Sequence, residues 1–196
     1  MEMRVEALEI PELKLIVPKR FEDSRGHFQE VWSNRAFREN VEDVSFVQDN
    51  QSFSIKKGTL RGLHFQRPPR AQGKLVQVLE GAILDVAVDI RCGSPTYGRH
   101  VSIRLDAKED AQLWIPAGFL HGFCTLVDQT VVFYKVTDYY NQAHDAGVIW
   151  NDPDLGIDWP IDNIILSEKD QNLPRLRDLP AAFNYADMPR SASLLV

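Results

Sequence analysis

The apolar residues between positions 44 and 140 fall in short runs, some continuous and some alternating, each interrupted by Gly, Pro or Asp. Strand side chains alternate between two faces, whereas helical ones repeat every 3.6 residues, so runs of this length and phase predict strands joined by turns. They lie at 44–48, 52–55, 59–66, 74–79, 82–90, 100–105, 112–115, 121–127 and 130–139. The clearest pair is KLVQVLEGAILDVAVDIR, where Glu80-Gly81 makes a tight turn because glycine takes a positive φ at no steric cost. On its second strand Ala82, Leu84, Val86, Val88 and Ile90 share one face, and Ile83, Asp85, Ala87 and Asp89 the other. The first face reads as core. The second, with its two carboxylates, is expected in solvent unless it lines a cavity.

Helix is sparse: Ser33 can cap a short helix over 34–40, and Ser167 a turn from Glu168 to Gln171. Many evenly spaced strands with few helices predict an all-β architecture, closed or double-sheeted, such as a jelly roll. A chain of 196 residues suits one domain, here 1–196, with a core over about 10–175. The tail, about 176–196, lacks clear periodicity and is expected either to wrap the domain or to be partly disordered.

Composition narrows the function. A formal net charge of -6 argues against the broad basic surface that nucleic acid or anionic membrane would require, so any anionic ligand must meet a local basic pocket. Cys92 and Cys124 form no CxxC pair and read as reduced thiols, as in a cytosolic enzyme. The N-terminus has no signal-peptide h-region, and no run approaches 18 apolar residues, so a soluble cytoplasmic protein is expected.

Five polar residues set in apolar strands or Gly/Pro loops then stand out. In GTLRGLHFQ, Arg61 and His64 interrupt a strand, although burying even a neutral polar group unpaired costs roughly 2–7 kcal/mol. Lys74 opens the next strand, His121 lies in IPAGFLHGF and Tyr134 in VVFYKVT. Each alone has an ordinary reading: a satisfied structural histidine, a solvated lysine at a strand edge, a core tyrosine with its hydroxyl on a carbonyl. A metal site is not expected, because the position two after His64 is Gln66 and no HxH pair occurs. GxSxG, GxxxxGK[ST] and GxGxxG are absent, so serine-nucleophile, P-loop and dinucleotide chemistry lack support.

These residues sit within FEDSRGHFQEVW (21–32), QDNQSFSIKKGTLRGLHFQRPPRAQGKLVQVLEGAILDVAVDIRCGSPTYG (48–98), LWIPAGFLHGF (113–123), YKVTDYY (134–140), WNDPDLGIDWP (150–160) and LSEKD (166–170). In these segments, across about residues 10–175, the chain resembles the dTDP-4-dehydrorhamnose 3,5-epimerase family. The resemblance implies a cupin-type β-jelly-roll, a homodimer, no metal or other cofactor, and epimerisation of dTDP-4-dehydro-6-deoxy-D-glucose at C3 and C5 in dTDP-L-rhamnose biosynthesis. Such chemistry needs a base for a weakly acidic C–H, a cation at the ketone oxygen for the developing enolate, and an acid on the opposite face.

By resemblance His64 is that base, Asp170 the carboxylate that orients its ring, Lys74 the cation and Tyr134 the proton donor. Arg25, Glu30, Gln48, Asp49, Asn50, Arg61, His121 and Lys169 match positions that bind the nucleotide sugar, Arg25 and Arg61 suiting the diphosphate. In dimers of this type Arg25 and Glu30 can act across the interface. Where many members carry Glu, this chain has Asp145, and Asp85 is a possible support near Lys74 or His121. Two other readings stay open: a relative that epimerises one carbon or isomerises a related dTDP-4-keto sugar, and a non-catalytic sugar-nucleotide binding module. Strict alternation puts Arg61 and His64 on opposite faces, so for both to meet one ligand the strand must bulge or twist, most readily at Gly62.

Overall fold

In the computed structural model, which describes residues 3–188, the expected β architecture is present. The strands are β1 (Met3–Ala7), β2 (Lys14–Pro18), β3 (Arg20–Asp23), β4 (Gly26–Gln29), β5 (Gln48–Ser54), β6 (Leu60–Gln66), β7 (Lys74–Glu80), β8 (Ala82–Asp89), β9 (Arg91–Cys92), β10 (His100–Asp106), β11 (Gln112–Ile115), β12 (Phe119–Thr125), β13 (Thr130–Val136), β14 (Asp145–Gly147) and β15 (Phe183–Asn184). Two short helices, α1 (Asn34–Asn40) and α2 (Glu168–Gln171), complete them. The caps are the two expected serines: the Ser33 hydroxyl accepts from Ala36 N at 3.5 Å and that of Ser167 from Asp170 N at 3.1 Å. Each such cap stabilises its helix by about 1 kcal/mol.

Two antiparallel sheets carry the fold, one in the order β1-β2-β11-β7-β13-β5 and the other β10-β8-β12-β6-β14. Between them Val76, Val78, Leu113, Ile115 and Val132 of the first sheet meet Ile83, Ala87, Leu105, Phe119 and Phe123 of the second in one buried cluster. The outside of the five-stranded sheet is covered too. Val86, Val88 and Ile90 pack against Leu155, Leu176 and Phe183 from the C-terminal third, and β15 pairs in parallel with β9. The tail therefore wraps the sheet as far as residue 188; its remainder lies outside the described residues.

The reading of Asp85 and Asp89 is corrected, because they share the inward face of β8 with Ile83 and Ala87, turned toward the six-stranded sheet. The alternation along β8 holds, but both of its faces are buried and both carboxylates have no exposed surface. Further differences are short, polar or Pro-flanked strands. The β3–β4 hairpin, RFED and GHFQ, is almost wholly exposed and carries no alternation to read. Residues 44–47 lie outside the strands, while 48–54 form one continuous strand, β5, rather than two.

On the outer face of the six-stranded sheet, α1 lays Phe37 over Trp114. Trp32 and Phe46 complete an aromatic cluster with ring centroids 4.9–5.7 Å apart. Beyond α1 the same face is uncovered: Phe53 is half exposed, and a cleft of about 220 Å³ is bordered by Val31, Trp32, Leu75, Phe133 and Lys135.

Candidate active site

The bulge expected at Gly62 is present. Opposite β12, His64 pairs with His121 and Arg61 with Phe123, so three steps on β6 match two on β12 and the parity of β6 changes between its two polar residues. Gly62 has φ 129°, and a Cβ there would stand 2.5 Å from Gly122 Cα and 2.9 Å from the His121 carbonyl oxygen. Only glycine fits. Arg61 and His64 consequently border the same cavity.

That cavity lies between the sheets in two adjoining lobes, of about 360 and 460 Å³, which share His64, Lys74, Tyr134 and Lys169. Gln48, Asn50, Gln66, Gln72, Tyr140 and Asp145 line the first; Arg61, His121, Phe123, Ser167 and Asp170 are among the walls of the second. The imidazole comes from the five-stranded sheet, and the ammonium and phenol face it from the six-stranded one.

Two His–Asp pairs stand side by side on this wall. His64 Nε2 donates to Asp170 Oδ1 at 2.6 Å, leaving Nδ1 for the cavity. Asp170 reaches it because Ile165, just before α2, bridges to Thr59 at the foot of β6, with Leu60 N on the Ile165 carbonyl at 2.9 Å. Burial pushes the Asp170 carboxyl up, but hydrogen bonds from His64, Ser167 and the Gly62 backbone together hold it below the usual carboxylate value. In the second pair His121 Nε2 donates to Asp85 Oδ1 at 2.8 Å, both residues buried. Burial lowers the His121 pKa despite Asp85, so the ring is neutral at neutral pH.

Burial likewise lowers Lys74 to about 8, against the opposing pull of Asp85 and Asp145. Its ammonium contacts the His64 carbonyl oxygen at 3.5 Å. Tyr134 is pushed up by burial, with Arg61 working in the opposite sense, so its hydroxyl keeps its proton at neutral pH. An imidazole, an ammonium and a phenol are thus gathered around one space.

Not every expected residue meets in that space. Asp85 stands behind His121 rather than on the cavity wall. Asp49 points out of the sandwich and pairs with Lys135 at 2.8 Å, and Arg25, on the exposed β3–β4 turn, bonds Asp23. Neither Arg25 nor Glu30 lines the cavity of its own chain. Asp145 does line it and is held by Lys169 and, at 3.4 Å, by the Tyr140 hydroxyl.

Sequence reasoning passed over Gln66 and Tyr140. The buried Gln66 amide donates to the Arg70 and Tyr139 carbonyls at 2.7 and 3.2 Å and accepts from Asn141 N at 2.6 Å, tying down the loop that carries Tyr140. A polar side chain at a core-phased strand position was its signal. Among the described residues no group of three or more His, Cys, Asp or Glu is placed to hold a metal ion.

Known proteins are similar to this chain over most of its length. The family described as dTDP-4-dehydrorhamnose 3,5-epimerase matches residues 7–178. A curated dTDP-4-dehydrorhamnose 3,5-epimerase from Sinorhizobium fredii is 55% identical over 185 residues, 94% of this chain and 95% of that protein. The crystal structure of a dTDP-6-deoxy-D-glucose-3,5-epimerase from Legionella pneumophila, in complex with dTDP-4-keto-L-rhamnose, superposes with a TM-score of 0.90 at 43% identity. It covers 94% of this chain and 99% of that one. A 3'-monoepimerase from Streptomyces bikiniensis, in complex with dTDP-quinovose, superposes with a TM-score of 0.81 at 34% identity over 87% of each chain. With the match running from the first strand past the helix that carries Asp170, this chain belongs to the dTDP-4-dehydrorhamnose 3,5-epimerase family.

Proposed function

We propose that the protein inverts C3 and C5 of dTDP-4-dehydro-6-deoxy-D-glucose to give dTDP-4-dehydro-L-rhamnose. The observation that carries this reading is the facing of His64, held by Asp170, across one cavity from Tyr134 and Lys74. His64 Nδ1 removes the proton beside the C4 ketone, and Asp170 stabilises the imidazolium that results. The electron pair moves to the C4 oxygen, where the Lys74 ammonium offsets the enolate charge. Tyr134 delivers its hydroxyl proton to the opposite face of the same carbon, which inverts it. Exchange with solvent returns His64 to its neutral form and Tyr134 to the phenol before the second carbon reacts. Gln48, Asn50, Arg61, His121, Asp145 and Lys169 hold the nucleotide sugar.

The same reading has residues 10–175 acting as one domain and two copies pairing through the uncovered sheet face. The β3–β4 hairpin of one copy would then bring Arg25 and Glu30, with exposed Phe21 and Phe28, to the other's cavity. The apolar surface left by α1 and the position of Arg25 and Glu30 outside their own cavity support it. The same proposal puts the enzyme in the cytoplasm. Both cysteines are free, and among the described residues no helix is long and apolar enough to cross a membrane.

Incubation with the 4-keto substrate in heavy water, followed by NMR, tests the reaction. Deuterium at both C3 and C5 is expected. Label at one carbon would favour single-site epimerisation, which the same fold supports in the monoepimerase, and no label would overturn the proposal. Light scattering should give twice the chain mass, and Arg25→Ala should raise KM for the sugar nucleotide.

A further inference from the structure

Two groups of opposite charge are left incompletely partnered inside the sandwich. Asp85 gives Oδ1 to His121, while its Oδ2, also buried, meets no hydrogen-bond partner. The Lys74 ammonium makes only the long 3.5 Å contact to the His64 carbonyl oxygen. Both enter the same interior from facing sheets. Asp85 shares the inner face of β8 with Ile83 and Ala87; Lys74 shares that of β7 with Val76 and Val78, and those four apolar residues pack in one cluster. A buried carboxylate oxygen without a partner is costly, and a buried ammonium without a counter-charge tends to lose its proton. Each group supplies what the other lacks, through space or through a bridging water.

Building on the reading of Lys74 as the enolate's cation, we propose that Asp85 is a positioning residue for catalysis: its unpartnered oxygen holds the Lys74 ammonium charged and aimed at the ketone oxygen, while His121 fixes the carboxylate from its other side. The remaining groups around Lys74 are His64 on β6, Tyr134 on β13, Asp145 on β14 and Lys169 and Asp170 on α2, with Arg61 along the same wall. Of the carboxylates, Asp170 is taken by His64, and Asp145 by Lys169 and Tyr140. Among the described residues Asp85 has the one buried carboxylate oxygen without a hydrogen-bond partner. Burial, the largest influence on Lys74, lowers it to about 8, and Asp85 is foremost among the groups that oppose this fall.

Asp85→Asn removes the charge and keeps an oxygen that His121 can donate to. Trace acetylation of Lys74 with acetic anhydride across a pH series, read by peptide mass spectrometry, gives the lysine's midpoint with no substrate present. Deuterium exchange into the sugar over the same series gives the catalytic limb. In the variant both should move down by about one pH unit, which at pH 8 leaves about fivefold less exchange, while binding of dTDP, which has no ketone, is unchanged. A folded variant with both midpoints unmoved would overturn the proposal. Should Asp85→Asn not fold, Asp85→Ser with added formate replaces it: a midpoint raised by formate supports the role, and one indifferent to formate overturns it. Because acetylation needs no turnover, failure of the epimerase reading would leave this test intact.

Discussion

Asp85 and Asp89 stand on the same face of one strand, equally buried, and they are treated oppositely. Asp89 accepts from the Arg91 backbone and Nε at 2.9 Å each, from Arg91 Nη2 at 2.7 Å, and from the Ser94 and Thr96 hydroxyls at 2.5 and 2.6 Å. Arg91 also bonds Glu12 at 2.6 Å and lies between the rings of Phe119 and Tyr185. Burial raises the Asp89 pKa, but these bonds outweigh it and hold the carboxyl below its usual value. Asp85 has one partner and a vacant oxygen. The satisfied cluster secures the β8–β9 turn against the C-terminal segment, whereas the unsatisfied one stands behind His121, which lines the cavity. Incomplete satisfaction marks the reactive end of the strand.

Substitution tests that division. The largest effect is expected from His64→Ala, which should reduce deuterium exchange at both C3 and C5 by about 10³-fold while leaving the thermal midpoint nearly unchanged. Substantial exchange in that variant would remove His64 from the role of base. Arg91→Met should do the reverse. Leaving Asp89 buried without its counter-charge, with only the residue-91 backbone N–H and the Ser94 and Thr96 hydroxyls to hold it, is expected to cost about 3 kcal/mol in urea unfolding with little change in kcat of the folded fraction. A loss of kcat at unchanged stability would erase the distinction between the two clusters. Tyr134→Phe comes next: exchange should persist, since the base remains, but inverted product should fall by about 10²-fold.

The smallest effect is a divergence with pH. Exchange should decline as pH rises through about 8, because Lys74 must keep its proton to stabilise the enolate. Stability should move the other way in the difference between wild type and Lys74→Met. Above about 8 the folded chain has released the Lys74 proton, while the unfolded chain holds it up to the ordinary value of 10.5, so this residue's contribution improves with pH across that window. Parallel pH curves for activity and for that stability difference would contradict the assignment.

Much of this was legible from the chain. Glycine and proline punctuation marked most of the central strands, both serine caps fell where expected, and Gly62 was identified as the place where β6 changes phase. The burial of Asp85 and Asp89 was not readable, since alternation sorts a strand's residues into two faces without saying what covers each. The face that carries them is the inner one, closed by the six-stranded sheet, whereas the all-apolar face lies outward under Leu155, Leu176 and Phe183, in a segment with no period of its own. β3 and β4 escaped because an exposed two-stranded hairpin has no buried face to impose a pattern. The pairing of His64 with Asp170 came from the family resemblance alone, as no local rule joins positions 106 residues apart.

That separation also bears on when the enzyme becomes active during its synthesis. The strands that supply His64, Lys74 and Tyr134 are complete by residue 136, but Asp170, the carboxylate bonded to His64, arrives with α2 and docks through the Thr59–Ile165 bridge. A ribosome-bound chain that has exposed its sheets but still holds residues 165–170 in the exit tunnel would contain the base, the ammonium and the phenol without the group that aligns them. On the proposed roles of His64 and Asp170, catalytic competence waits for residues 165–170 to leave the tunnel, about 30 residues after the last of the three strands.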